Sequence, residues 1–339
     1  MKRWVGGAAV LAVVLGMGGW AGAATYKAEY TNSLVVGPVG PWGEAATKFA
    51  DMVRERSGGK IHIKNYFAGQ LFAGKQTNEF LLLRQGVADF AFASAINWSP
   101  QIRELNLFAL PFFVGDYKSV DAIEHGEAGR RLFKLVEEKG GVPLCWGENG
   151  FRELTNSKRA VRTPEDLAGL KIRVVGSPIF VDTFKAIGAN PVSMNWAEAQ
   201  TAFQQGTVDG QENPVVSIVI PFKLWQSQKH ITLWKYAIDP LIVAISKQTW
   251  DTFEAKDQDL IRKAAQEACD WQKKGARTGL VDSTEAVETL RKNGMEVTIP
   301  TAADQAGFKA KTKPVYDKWA TEVGANLVRL AEQDKAKAK

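Results

Sequence analysis

The sequence predicts an α/β protein of two lobes, and three observations lead there. Predicted strands and helices alternate along most of the chain, the pattern of helices laid over largely parallel sheets. At 339 residues the chain is long enough for two packed domains. A short pattern, Gln85-Gly86-Val87-Ala88-Asp89, returns as Gln205-Gly206-Thr207-Val208-Asp209. Each copy lies between a helix and a strand, with Gly ending the helix, as two lobes of one plan would require.

The elements follow in order. Tyr26 to Thr31 reads as a strand, and Pro41 to Ser57 as a helix with Ala45, Phe49, Met52 and Val53 on one face. Gly58-Gly59 ends that helix. A strand is expected over Ile61 to Phe67, a helix over Thr77 to Gln85, and a short buried strand over Phe90 to Ala93. One helix is expected from Asp121 to Lys139, then a strand around Leu144. In the second half, Thr163-Pro164-Glu165-Asp166 reads as a helix start, with Thr as cap and Pro in the first turn. A strand over Lys171 to Val175 precedes a helix from Ser177 to Ile187 that closes at Gly188. Asn195-Trp196-Ala197-Glu198 resembles a capping box, and Asp257 to Lys292 reads as one long amphipathic helix.

Composition narrows the class. The net charge is +6, with both signs scattered. No Lys/Arg block of the kind that tracks a nucleic-acid backbone is present, so no nucleic-acid partner is expected. Lys2 and Arg3, the apolar run from Val5 to Met17 and the small residues Ala21-Gly22-Ala23 read as a secretory signal peptide over residues 1–24. The chain is therefore expected to be periplasmic, soluble and monomeric after cleavage near Ala24 or Thr25. Cys145 lies in an apolar run and Cys269 in a helical pattern. Buried cysteines commonly act as small apolar residues, so a free pair is preferred here over a bridge. His62, His125 and His230 share no metal-ligand spacing with each other or with a cysteine, so no metal is expected. P-loop, G-x-S-x-G and H-E-x-x-H motifs are all missing, and no cofactor or catalytic activity is expected.

Three segments put strong polar groups at predicted strand edges, where open α/β sheets place ligands. They are Glu148-Asn149-Gly150-Phe151-Arg152-Glu153-Leu154-Thr155-Asn156-Ser157-Lys158, Gly169-Leu170-Lys171-Ile172-Arg173-Val174 with Ser177-Pro178, and Asp209-Gly210-Gln211-Glu212-Asn213-Pro214. With Ala68-Gly69-Gln70-Leu71, Leu110-Pro111-Phe112 and Gly188-Ala189-Asn190-Pro191 they form an ordered set. In this set the chain resembles the DctP-type solute-binding proteins of tripartite ATP-independent periplasmic (TRAP) transporters, across essentially all of its length beyond the signal segment.

The resemblance implies a two-lobed periplasmic binding protein fold with the ligand cleft between the lobes and a long helix spanning both. It puts residues 25–149 and 239–278 in lobe I, and 150–238 and 279–339 in lobe II. Arg173 is implied as the main carboxylate clamp, suited by its planar guanidinium fork. Arg152 is implied as a second cationic contact and Asn213 as an amide donor. Trp196, Ser94, Gln76 and Tyr236 are implied around the cleft. The implied ligand is a small organic anion, with C4-dicarboxylates slightly favoured because two ends would match two arginines. Mutual repulsion of those arginines would hold the empty cleft open. The implied partners are DctQ- and DctM-type membrane subunits. Two alternatives stay open from the residues alone: a binding protein of an ATP-driven importer, and a periplasmic enzyme such as a lyase acting on an organic acid.

Overall fold

A computed structural model describes residues 26–338, and the expected signal peptide falls outside them. The strands are β1 (Tyr30–Ser33), β2 (Ile63–Tyr66), β3 (Phe90–Ser94), β4 (Gly141–Asn156), β5 (Lys171–Val174), β6 (Asn190–Ser193), β7 (Gly210–Pro214), β8 (His230–Ser246) and β9 (Glu296–Thr298). The helices preceding β4 are α1 (Gly40–Arg56), α2 (Glu79–Arg84), α3 (Ala95–Trp98), α4 (Tyr117–His125) and α5 (Glu127–Glu138). After β5 come α6 (Pro178–Ala186), α7 (Trp196–Gln205), α8 (Lys247–Trp250), α9 (Ala255–Arg277), α10 (Glu285–Lys292), α11 (Ala302–Val323) and α12 (Ala325–Lys337).

The sheet order is β2-β1-β3-β8-β4-β7-β5-β6, with β9 beside β8. It reads almost as a mirror about its centre. Parallel strands β2, β1 and β3 form one wing, and β7, β5 and β6 the other. The long antiparallel pair β4 and β8 runs between them. One lobe therefore carries β1–β3, the other carries β5–β7, and both centre on β4 and β8.

The repeated Gln-Gly-x-x-Asp pattern does the same work in each wing. Gly86 and Gly206 take left-handed φ values of 71° and 67° at their helix ends. The Asp89 carboxylate then accepts the Thr31 amide of β1 at 2.9 Å, and Asp209 accepts the Lys171 amide of β5 at 2.9 Å. In both places an aspartate entering a strand ties it to its parallel neighbour.

Two expected helices are interrupted. The Asp121–Lys139 segment splits at Gly126, where a side chain would collide with the Asp334 carboxyl at 2.1 Å. Asp334, on α12, accepts the Ala128 amide at 2.9 Å and so caps α5 from a distant element. The Asp257–Lys292 segment breaks after Arg277. Gly279 adopts φ 74° and its amide donates to Asp282 at 2.7 Å, turning the chain before α10. The expected helix at Thr163 shrinks to one 3-10 turn, Pro164–Leu167, though its Thr163–Asp166 capping box forms.

The cysteines are not free. Cys145 on β4 and Cys269 on α9 form a disulfide with Cα atoms 6.4 Å apart. Helix α9 lies on β4 with Ala265, Ala268 and Cys269 buried against it, so two small apolar positions face each other at bridging distance. Burial, read from sequence as grounds for free thiols, is what brings the pair together.

Candidate functional site

Between the wings lies a cavity lined from both sides. The lobe of β1–β3 contributes Val35, Val36, Trp42, Gln76, Ser94 and Asn97, while Arg173, Val175, Trp196, Asn213 and Ile218 come from the other. Asn149 and Arg152 on β4, and Asp239 on β8, form its floor. Six of the seven residues expected at a cleft are thus brought together.

Arg173 stands on β5, buried to 2 % exposure. Its Nε donates to the Met194 carbonyl at 2.8 Å, while its Nη2 is buried without a partner. Among the described residues it has no ion-pair partner. Its guanidinium lies 5.8 Å from the centre of the Trp196 ring. Burial, opposed by the Glu212 charge and aided by Arg152, pulls its pKa down to about 10, so it remains a cation at neutral pH.

Arg152 is also buried, but its charge is already answered. It reaches Glu212 through Nε and through Nη2 at 2.8 Å, and its Nη1 donates to Asp239 at 2.9 Å. A further Nη2 bond reaches the Glu212 carbonyl at 2.7 Å. Burial works against its charge, but these carboxylates raise its pKa above the ordinary guanidinium value. Two buried carboxylates therefore face two buried guanidiniums, and Arg152 engages both. The expected repulsion between bare arginines does not describe this site.

Asp239 also accepts Ser94 Oγ at 2.6 Å and Asn149 Nδ2 at 2.7 Å. Burial raises its pKa, against the pull of Arg152. Asn213 donates to Gln211 Oε1, and Gln211 in turn donates to Thr155 at 2.8 Å, so the amide is held by its own strand and its neighbour. Trp196 opens α7. Its ring is braced edge-on by Phe222 at 5.2 Å, and its Nε1 is buried without a partner.

Gln76 links the lobes. Its Nε2 donates to Asn97 Oδ1 at 2.7 Å, and its Oε1 accepts the Trp196 backbone amide at 2.7 Å. The first turn of α7 is thus capped from the opposite lobe, whereas the Asn195 side chain caps nothing. Tyr236 sits behind the cavity floor. Its hydroxyl donates to Glu212 at 2.6 Å, so it supports the Arg152 pair.

Asn149, Asp239, Glu212, Asn97 and Trp42 were missed as site residues. Asp239 carried a readable signal, a lone carboxylate inside the apolar run Ala237-Ile238-Asp239-Pro240-Leu241. Trp42 carried none, since it lies on the apolar face of α1; its Nε1 donates to the Phe92 carbonyl at 2.7 Å. Among the described residues no cluster of His, Cys, Asp and Glu suits a metal ion, and no helix is long and apolar enough to cross a membrane.

A two-lobed sheet with a buried polar cavity at the crossing of its central strands defines a solute-binding protein of the periplasmic type. The chain belongs to the bacterial extracellular solute-binding protein family 7, the DctP family, whose profile matches residues 33–322. It is 34 % identical over 282 residues to a solute-binding protein of Verminephrobacter eiseniae, covering 83 % of this chain and 82 % of that one. It is 32 % identical over 292 residues to the 2,3-diketo-L-gulonate-binding periplasmic protein YiaO of Escherichia coli, covering 85 % and 87 %. A crystal structure of a TRAP periplasmic solute-binding protein from Ralstonia eutropha, with bound (S)-2-acetolactate, superposes with a TM-score of 0.90. The two sequences are 49 % identical, and the match covers 92 % of this chain and all of that one. By family the protein is accordingly a TRAP-type solute-binding protein rather than an enzyme.

Proposed function

We propose that this receptor takes a small monocarboxylate, held by Arg173 in the cavity between the lobes, and passes it to DctQ- and DctM-type membrane subunits. One observation carries the reading: a buried guanidinium with an unpartnered Nη2 and, among the described residues, no ion pair, beside a neighbouring arginine that already has both carboxylates. A single unanswered cation calls for a single carboxylate. On this reading we prefer a monocarboxylate to the C4-dicarboxylate that the count of arginines slightly favours. Val35, Val36, Trp42, Val175 and Ile218 offer apolar surface to the rest of the ligand. The acetolactate in the Ralstonia relative, itself a small monocarboxylate, supports the same class.

In this reading the lobes are residues 25–149 with 239–278, and 150–238 with 279–339. They close by bending where β4 and β8 cross. The ligand carboxylate favours the closed state because Arg173 is desolvated only there. Cleavage of the N-terminal segment leaves a periplasmic monomer.

The test is a thermal-shift screen of the protein, freed of bound solute, against monocarboxylates, C4-dicarboxylates, sugar acids, neutral sugars and amines. Short monocarboxylates are expected to raise the melting temperature most. A response confined to neutral sugars or amines overturns the assignment, and a larger response to dicarboxylates restores Arg152 as a second anion contact. Mass spectrometry should recover the acid unchanged; conversion would favour a lyase.

A further inference from the structure

We infer that Asn149 reads a hydroxyl group on the ligand, so that the receptor selects a hydroxy acid over the acid lacking that hydroxyl; this rests on the monocarboxylate reading above. The argument begins with the register of the two crossing strands. Glu148 pairs with Pro240 and Gly150 pairs with Asp239, so Asn149 is an extra residue of β4 with no partner opposite it. Such a bulge bends a strand and re-aims the side chain that it frees. Here it is accommodated by the φ of 123° at Gly150, a conformation that disfavours a side chain. The freed side chain joins the cavity lining at 2 % exposure.

The orientation of the amide is settled by its neighbour. Asp239 receives Ser94 Oγ, Arg152 Nη1 and Asn149 Nδ2. Arg152 Nη1, which can only donate, shares Asp239 Oδ2 with Asn149, so that oxygen acts as the acceptor. Asn149 therefore turns its NH₂ group to Asp239, and its carbonyl oxygen faces away. That oxygen, Oδ1, is buried and has no donor.

The side chains lining the cavity include two whose donors are fully buried and unpartnered, Arg173 Nη2 and Trp196 Nε1, and one, Asn149, whose acceptor is. A carboxylate answers donors only. An acceptor facing a ligand oxygen without a proton would leave lone pairs opposed, whereas a hydroxyl supplies the missing hydrogen. An ammonium could also donate, and valine in the test below separates it from a hydroxyl.

The experiment is calorimetry on the folded, solute-free protein with acids of nearly equal shape: 2-hydroxy-3-methylbutanoate, 2-oxo-3-methylbutanoate, 2,3-dimethylbutanoate and valine. The hydroxy acid is expected to bind at least about ten-fold more tightly than the other three, the usual scale for leaving a buried polar group unpaired. Asn149→Ala should bring the hydroxy and oxo acids within about two-fold of each other, chiefly by weakening the hydroxy acid. Arg173→Ala should weaken the binding of all four acids. Equal binding of hydroxy, oxo and dimethyl acids to the unmutated protein, or tighter binding of valine, overturns the role of Asn149 and leaves the anion site standing. Failure of all four to bind overturns both. Because the decisive comparison is among ligands on the unmutated chain, poor folding of a variant does not blunt it.

Discussion

At the scale of single residues, the two arginines of the cavity divide their work. Arg173 has spare donor capacity, and Arg152 gives four hydrogen bonds to Glu212 and Asp239. Arg173→Ala should weaken ligand binding by about 2–4 kcal/mol and leave the melting temperature of the empty protein nearly unchanged or higher. Arg152→Ala should act first on folding, because it strands two buried carboxylates; a loss of about 3–5 kcal/mol is expected. Calorimetry and urea midpoints on both variants separate the two roles. If instead both chiefly weaken binding, Arg152 is a ligand contact after all. A third residue gives a pH signature. Glu79 on α2 is fully buried; burial outweighs the Ser33 hydroxyl that donates to it at 2.8 Å, and its pKa is pushed up to about 8. The folded state therefore holds a proton that the unfolded chain releases near pH 4.5. Its contribution is fully present below that pH and is lost as pH climbs to about 8. Glu79→Gln should flatten the decline of stability between those values, read from melting temperatures across the range.

At the scale of elements, the start of α7 shows closure built from a helix cap. An uncapped first turn leaves amides unpaired, and here Gln76 reaches across the cavity to satisfy one of them. A second contact, Ser99 Oγ donating to Ser177 Oγ at 2.8 Å, joins the same two lobes nearby. In the proposed closure both bonds form only when the two wings are together, so they would hold the closed state without touching the ligand. Gln76→Ala should raise the ligand dissociation rate by about 3- to 10-fold with little change in the association rate, the size expected for one buried hydrogen bond. Stopped-flow fluorescence of the cavity tryptophans measures both rates. A fall confined to the association rate would show that Gln76 acts before closure.

At the scale of the whole molecule, the long helix α9 is fastened to the crossing strand β4 by Cys145–Cys269, a link spanning 124 residues of sequence. Closing so long a loop restricts the unfolded chain, so reduction or a Cys145→Ser, Cys269→Ser pair should cost about 2–5 kcal/mol. Matched melts with and without reductant check this, and equal melting temperatures would show that the bridge adds nothing to stability. The bridge lies on the same strand as Asn149 and Arg152, so it also anchors the element that presents the cavity floor.

Much of this architecture was legible in the linear chain, because strands, turns and helix ends follow from local periodicity and from a few special residues. The alternation of elements, the left-handed glycines of the two Gln-Gly-x-x-Asp turns and the placing of Arg173 and Asn213 at strand edges are of this kind. The breaks at Gly126 and Gly279 had local marks too, but capping by Asp334 depends on a helix at the far end of the chain. What only the tertiary structure decided is which polar groups meet. Arg152 finds Glu212 at a separation of 60 residues and Asp239 at 87, and Gln76 caps a helix 120 residues away. The number of free charges in the cavity, and so the class of anion it can take, depends on those distant pairings. A chain's local pattern sets backbone geometry residue by residue, whereas the compensation of a buried charge is settled only when the wings of the sheet come together.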